Sequence, residues 1–165
     1  MVDTMAPNSP ARTRGFTLIE LLISLVIVAV LATIAVPSMR ELILTQSVRT
    51  SAADLQTALI FARSEAIKRA ADVSVVPVGS AWTNGWTVQT GNGTVLRRQN
   101  ALSTNLSTIA GTPITYRSNG RVASAPGQLV FNTALTGVAA RCVVLDLSGR
   151  PSVVYDSAHS SNGCH

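Results

Sequence analysis

The sequence predicts an α+β fold in which one long N-terminal helix packs on antiparallel β-sheets. Two patterns indicate this class. The first is an apolar run that passes into residues at helical spacing, extending from Phe16 to about Ala71. The second is a series of short strand-like segments separated by turns, which fills the chain from Val73 onward. Because the strands come after the helix and do not alternate with further helices, an α/β fold is not expected.

The apolar run from Phe16 to Val36 contains a single charged residue, Glu20. At about 1.5 Å per residue this run makes a helix of about 31 Å, which matches the hydrocarbon core of a bilayer. Backbone polar groups of a single segment are satisfied in lipid only by a helix, so we expect residues 16–37 to be a transmembrane helix. A carboxylate there costs about 3 kcal/mol on insertion scales, so we expect Glu20 to have a partner.

A basic leader and the start of the apolar run resemble the class III signal of type IV prepilins and type II secretion pseudopilins. The matching letters are RGFTLIE, residues 14–20. The resemblance implies that residues 1–15 are a leader, that prepilin peptidase cuts between Gly15 and Phe16, and that it methylates the new amino group of Phe16. It also implies that Glu20 guides subunit assembly. A buried carboxylate and ammonium offset each other's desolvation, so Glu20 has a candidate partner in the α-amino group of Phe16, its own or a neighbour's.

Two alternatives explain the same run without processing. One is an ordinary single-span anchor with a stray glutamate. The other is a secretory signal peptide removed whole, which the arginines Arg12 and Arg14 would suit. The run is longer than such a peptide requires and lacks a small-residue cleavage site before a polar stretch, so the signal-peptide alternative is weaker.

The positive charge before the span predicts a cytoplasmic N-terminus and an exported domain after Val36. Because that compartment is oxidising, we expect Cys142 and Cys164 to form a disulfide, with two free buried thiols as the alternative. The crosslink would stabilise the fold by about 3 kcal/mol.

The formal charge of +5 is compatible with binding to anionic lipid, nucleic acid or acidic proteins but does not choose among them.

Residues 38–72 have the pattern of an amphipathic half-helix. Pro37 removes a backbone N–H and predicts a bend where the lipid-facing part ends. The basic pair Lys68 and Arg69 suits a helix C-terminus. The stripe expected to be buried recurs mostly at threes and fours and is widened in its middle by two larger side chains; its members are Leu42, Val48, Leu55, Leu59, Ala62, Ala66 and Ala70, with Ile60 and Phe61.

Residues 73–165 are expected to form a β-rich periplasmic globular domain. The turn residues Gly91-Asn92-Gly93 predict a hairpin, and Pro77 predicts a strand end or an edge. The polar tail from Asp156 to His165 is expected to be loose apart from Cys164. The expected strands are 73–78, 86–90, 94–98, 106–110, 114–117 with Val122, 129–132, 141–147 and 152–155.

Three segments of this half resemble the GspH/FimT-type branch of pilin-like proteins: WTNGWTV at 82–88, ITYRSNGR at 114–121 and RCVVLDLSGR at 141–150. The resemblance implies a minor pilin or pseudopilin that helps to initiate or cap a type IV pilus or type II secretion filament. It implies as partners prepilin peptidase, other minor and major pilins or pseudopilins, the inner-membrane assembly platform and inner-membrane lipid. The implied location is the bacterial inner membrane, with a single pass, and then the filament tip.

The tryptophans of the first of these segments, Trp82 and Trp86, are expected to pack in the core or a turn. The alternative is a role in stacking on a carbohydrate or a base.

DNA capture is the second function that the resemblance raises. Some FimT-like minor pilins bind DNA through a C-terminal Gly-Arg-x-Arg element, and this chain has Gly149-Arg150-Pro151-Ser152, without the second arginine. Phosphate contacts would require further arginines on one face. The candidates are Arg150, Arg141, Arg117 and Arg121, with Arg97 and Arg98.

Enzymatic chemistry is not expected. His159 and His165 fall in the tail, outside any triad or zinc spacing, and no Walker-type phosphate-binding loop is present. We therefore expect no catalytic residue, no metal and no cofactor. No residue separates a pilus from a secretion filament, although the cysteine pair and the lack of a calcium-type acidic cluster favour a pilus.

Overall fold

The computed structural model describes residues 15–108, 112–123, 127–135, 137–156 and 164. The chain forms two compact units, residues 1–38 and 39–165. Nearly all of the expected leader and most of the tail lie outside the described residues, as does the end of the strand expected at 106–110. A single helix, α1 (Leu18–Arg69), contributes to both units.

In the first unit, the described residues are the helical segment that starts at Leu18 and the three residues before it. Every residue from Gly15 to Ser38 is exposed, including the apolar ones. This part of α1 is long and apolar enough to cross a membrane, with a mean hydropathy of 2.8 over its best window. Pro37 lies inside α1, and the bend expected there remains a prediction.

In the second unit, α1 buries a stripe that advances by threes and fours, as a helix packed on one side requires. The stripe comprises Val48, Ser51, Ala52, Leu55, Ala58, Leu59, Ala62, Glu65 and Ala66. The expected membership was wrong at both ends and in the middle, since Leu42, Ala70 and Ile60 are exposed. Leu42 precedes the part of the helix that the sheets cover, and Ala70 lies after the helix, with a positive φ of 51°.

In the described part of the chain, eight strands follow the helix and form two four-stranded antiparallel sheets. The first sheet has the order β3-β2-β1-β5 and the second the order β4-β6-β7-β8. Their bounds are β1 Val73–Pro77, β2 Trp86–Thr90, β3 Val95–Gln99, β4 Leu106–Thr108, β5 Ile114–Tyr116, β6 Gln128–Thr133, β7 Ala140–Leu145 and β8 Pro151–Asp156. A short 3₁₀ turn, Trp82–Asn84, precedes β2.

The strand predictions match these bounds to within two residues at the ends that the structure describes. The α+β prediction of a long helix on antiparallel sheets is therefore confirmed. Pro77 ends β1, where its missing N–H disturbs the ladder least.

One hydrophobic core joins the helix stripe to the inner faces of both sheets. Leu55 and Leu59 of α1, Val88 of the first sheet and Phe131 of the second are fully buried in it. Trp82 and Trp86 belong to the same core, with ring centroids 6.2 Å apart, so their expected packing role is confirmed. A smaller cluster, Val130, Ala140, Cys142 and Cys164, forms on the second sheet apart from this core.

Candidate functional site

The N-terminal segment begins α1 with a side-chain cap. The backbone N–H of Glu20 donates to Thr17 Oγ1 at 3.3 Å, and the N–H of Leu21 donates to the Thr17 carbonyl at 3.2 Å. Thr17 thus satisfies donors that a helix start leaves open. The spacing Thr-x-x-Glu from Thr17 to Glu20 is that of a capping box, a local signal that the sequence carries and that the sequence predictions above did not include.

This cap places Glu20 in the first turn of α1, next to the proposed cleavage point. A carboxylate in the first turn interacts favourably with the positive end of the helix dipole. Phe16 immediately precedes the capping residue, so its new α-amino group would lie at the same helix end as the Glu20 carboxylate. Among the residues that the structure describes, no basic side chain forms an ion pair with Glu20.

Two loops that carry candidate arginines lie against each other in the second unit. One loop follows β5 and holds Arg117 and Arg121; the other joins β7 to β8 and holds Arg150. Tyr116 Oη donates to the Gly149 carbonyl at 3.3 Å, which links the two loops directly. Burial raises the pKa of this Tyr116 hydroxyl, so it remains a neutral donor across the physiological range.

Two glycines make this approach possible. Gly120 and Gly149 both have positive φ, 74° and 80°, which side-chain-bearing residues rarely adopt. A Cβ on Gly149 would overlap the carbonyl oxygen of Gly120, and one on Gly120 would lie 2.7 Å from Ile67 Cδ1. Arg63 Nε also donates to the Gly120 carbonyl at 3.0 Å. The loops therefore pack on each other and on the C-terminal part of α1.

The turn that presents Arg150 is held by Asp146. Asp146 Oδ1 accepts from Ser148 Oγ at 2.5 Å and from the Arg150 backbone N–H at 3.3 Å. These bonds, the first the stronger, hold the pKa of Asp146 below its usual range. The carboxylate thus shapes the turn, while the side chains of Arg117, Arg121 and Arg150 are exposed.

The other candidate arginines do not join this cluster. Arg141 stacks on the ring of Tyr155, its cross-strand partner, with 4.5 Å from its guanidinium carbon to the ring centroid. It lies four residues from the end of β7, about 13 Å from the turn at strand spacing. Arg97 and Arg98 lie on β3, the edge of the first sheet opposite β5. The condition that the candidate arginines share one face is therefore not met by Arg141, Arg97 and Arg98, because cross-strand pairing assigns them to other positions.

The Cys142–Cys164 disulfide attaches the tail to β7. The Gln128 side chain holds the same point, accepting from the Cys164 N–H at 2.9 Å and donating to the Cys164 carbonyl at 3.2 Å. The Gln128 side chain thus pairs with both backbone groups of Cys164, as the backbone of a neighbouring strand would. Lys68 and Arg69, which suit the C-terminus of α1 as predicted, also form ion pairs with Glu65.

In the described ranges, no group of three or more His, Cys, Asp or Glu side chains is placed to hold a metal ion.

Comparison with protein families gives two matches. The family of the type II transport protein GspH matches residues 51–149, and the prokaryotic N-terminal methylation motif matches residues 10–36. A comparison with curated proteins finds no match.

Among solved structures, the chain is similar to the type IV minor pilin FimU of Pseudomonas aeruginosa strain PAO1 in two crystal forms. The P21 form has a TM-score of 0.61 at 19% identity, covering 73% of this chain and 96% of FimU. The P65 form has a TM-score of 0.54 at 20% identity, covering 71% and 99%. At this identity the likeness shows a shared fold.

Proposed function

The chain belongs to the family of the type II transport protein GspH, and on that premise we propose that it helps to initiate or cap a type IV pilus or type II secretion filament. It is a GspH/FimT-type minor pilin or pseudopilin with an N-terminal methylation motif. Members of this class are structural subunits that interact with other pilins and are processed by prepilin peptidase. Its apolar helix fits a membrane-anchored pilin.

The observation that carries the proposal is the order of the two matches on one chain. The methylation motif at residues 10–36 covers the exposed apolar helix start, and the GspH match at 51–149 covers the helix stripe except Val48 and most of the two sheets. An apolar helix that its own domain leaves uncovered needs lipid before assembly and other helices after it. A subunit that passes from membrane to filament meets both requirements.

The first step is cleavage between Gly15 and Phe16 by prepilin peptidase, with methylation of Phe16. A Cβ at Gly15 would meet nothing within 4 Å among the described residues, so none of these residues packs against this position. The new N-terminus then lies one residue before the Thr17 cap. In lipid its ammonium and the Glu20 carboxylate lower each other's cost of burial, which lets the helix start move among apolar neighbours.

Processing is tested by the mass and N-terminus of the mature chain in cells with prepilin peptidase. Gly15→Ala is expected to leave residues 1–15 attached and Phe16 unmethylated, as is wild type in a peptidase-deficient host. Ser9→Ala, in the leader but away from the junction, is the matched control and should be processed normally. An unchanged mature mass for Gly15→Ala would contradict this step.

The assembly role is tested by deleting the gene and counting filaments. A tip subunit is needed once per filament, so the deletion should reduce filament number while leaving the composition of the remaining filaments unchanged. Surface pili or periplasmic secretion filaments, whichever disappear, identify the system. Normal numbers of both, or a chain found in equal amount with the major subunit, would rule out a role in initiation or capping.

DNA binding is a second candidate function, and the packing of the two arginine loops favours it. Arg117, Arg121 and Arg150 are exposed on adjacent loops, which is the arrangement that binding to several phosphates needs.

Removing one arginine that binds a phosphate should reduce the salt dependence of binding by about one in log–log slope. Arg150→Ala should therefore weaken binding to duplex DNA and flatten that dependence, while Arg97→Ala, an equal charge change on β3, should not. Equal effects of the two variants, or no binding at low salt, would dismiss this function.

A further inference from the structure

A cleft of about 420 Å³ lies at the start of the second unit. Arg40, Ile43 and Leu44 of α1 form one wall, and Asn105 with Thr133–Leu135 form the other. The loop after β6 is held against this part of the helix, since the Glu41 carboxylate lies at Gly137. The cleft is thus built from two elements of the same unit.

The rim of this cleft is unusually apolar for a surface that faces water. Ile43 on one wall is 57% exposed and Leu135 on the opposite wall is 43% exposed, and the adjoining helix residues Met39 and Leu42, outside the lining, are each more than half exposed. Arg40 is the basic side chain of the cleft and is itself exposed. In the part of the chain that the structure describes, it forms no ion pair. A patch of apolar side chains beside an unpaired guanidinium matches the two halves of an anionic phospholipid, acyl chain and phosphate.

The chain itself keeps this patch close to the membrane. The apolar run ends at Val36, and a peptide advances at most about 3.6 Å per residue, so Arg40 lies within about 14 Å of the end of the span at any helix bend. The headgroup region extends several ångströms beyond the hydrocarbon core. Bonds between arginine and phosphate are frequently bidentate, which gives them geometric specificity as well as charge.

We propose that this cleft binds an anionic phospholipid of the membrane in which the subunit waits before assembly, with Arg40 on the phosphate and Ile43 and Leu135 on the acyl chains. This rests on the membrane anchoring of the proposed function. The carboxylate of the neighbouring Glu41 lies beside Gly137, and Glu41 does not line the cleft.

The test uses the mature full chain in vesicles, with Leu135→Cys carrying a fluorophore. The two native cysteines are joined in a disulfide, so the label is directed to position 135. Spin-labelled phosphatidylglycerol should quench it at about five-fold lower lipid fraction than spin-labelled phosphatidylcholine, the factor that ~1 kcal/mol per arginine at an anionic surface represents. Arg40→Gln should remove this preference, whereas Arg49→Gln, exposed on the same helix outside the cleft, should retain it.

A probe at Leu147→Cys, which is exposed in the turn beside Gly149, should show little quenching by either lipid. Equal quenching of position 135 by the two lipids, no quenching at all, or a preference that survives Arg40→Gln would each overturn the proposal. Disulfide-linked dimers of the unlabelled Leu135→Cys chain, formed through position 135, would assign the cleft to a second copy and also overturn the proposal. Vesicle flotation separates these results from a failure of anchoring, because a chain that does not float has not inserted.

Discussion

The two halves of α1 differ in whether their apolar residues are exposed or buried. From Leu18 to Val36 the helix is apolar on every side and wholly exposed, while from Val48 to Ala66 its large apolar residues are mostly confined to one buried stripe. The second half is stabilised by the sheets of its own unit, whereas the first half is exposed at every residue that the structure describes. A helix that is hydrophobic all round is buried in lipid or in other protein. One helix thus presents two kinds of surface, and on our proposal the residues that stabilise the fold differ from those that act in assembly.

The largest contrast should come from truncating one leucine in each half. Leu59 is fully buried in the common core, so Leu59→Ala should lower the unfolding free energy of the second unit by about 2–5 kcal/mol. Leu25→Ala, at a position 57% exposed, should leave it unchanged. Denaturant unfolding in detergent reports on this unit through its buried tryptophans. Equal losses in the two variants would mean that the first half also packs on the domain.

The disulfide should stabilise the second unit and have no effect on the apolar half of α1. Replacing Cys142 and Cys164 by serine removes a crosslink worth about 3 kcal/mol in unfolding free energy by the chain-entropy treatment. The expected result is a lower denaturant midpoint with unchanged insertion into membranes. Cys164→Ser alone serves as a control for the free thiol at position 142. An unchanged midpoint in the double variant would show that the Gln128 bonds hold the tail without the crosslink.

The glutamate of the apolar half should affect assembly without affecting stability. Glu20→Ala removes a carboxylate from the first turn of α1, so insertion should be retained and the unfolding free energy of the second unit unchanged. Incorporation into filaments, measured by immunoblot of sheared or crosslinked filaments, should fall strongly. Asp72→Ala, which removes an exposed carboxylate outside the apolar run, is the control. Normal incorporation of Glu20→Ala would show that pairing with the Phe16 amino group is not required.

The smallest expected effect concerns Glu65, which lies in the buried stripe of the second half of α1. A hydrogen bond from Arg69, at 2.6 Å, holds the pKa of Glu65 below its ordinary value of 4.5, with Lys68 adding to it. A lowered folded-state pKa contributes stability above the unfolded value, and that stability is lost as the pH falls below about 4.5. Wild type should therefore lose stability more steeply than Glu65→Gln below this pH. Parallel pH profiles would contradict a role for the pair.

Local patterns were sufficient to predict most of the elements. The strand at Trp86–Thr90 was predicted to the residue, and Pro77 was expected at a strand end, because alternation and turn chemistry act over a few residues. The buried stripe was predicted by its spacing, but its ends were not. Leu42 has the right period and is exposed, since burial depends on where the sheets stop, and periodicity carries no information about that.

Interactions between distant segments were beyond local patterns. The assignment of strands to two sheets, the packing of Gly149 on Gly120 and the stacking of Arg141 on Tyr155 all depend on pairing across the fold. Of the candidate arginines, sequence alone could not separate those that gather in the paired loops from those that do not. The Thr17 cap differs from these long-range interactions, because its signal is local and lies within four consecutive residues. The sequence alone is therefore sufficient to predict it.

The way the strands are shared between sheets has a consequence for the order of synthesis. The chain makes β4, which belongs to the second sheet, before β5, which completes the first. A nascent chain can therefore close one sheet while β4 still waits for β6, with its backbone donors and acceptors open to other chains. Unpaired strands of this kind can pair with strands of other chains and aggregate, and longer strands do so more readily. Within the described residues β4 spans Leu106–Thr108, so these residues leave few such donors and acceptors open while the chain is made.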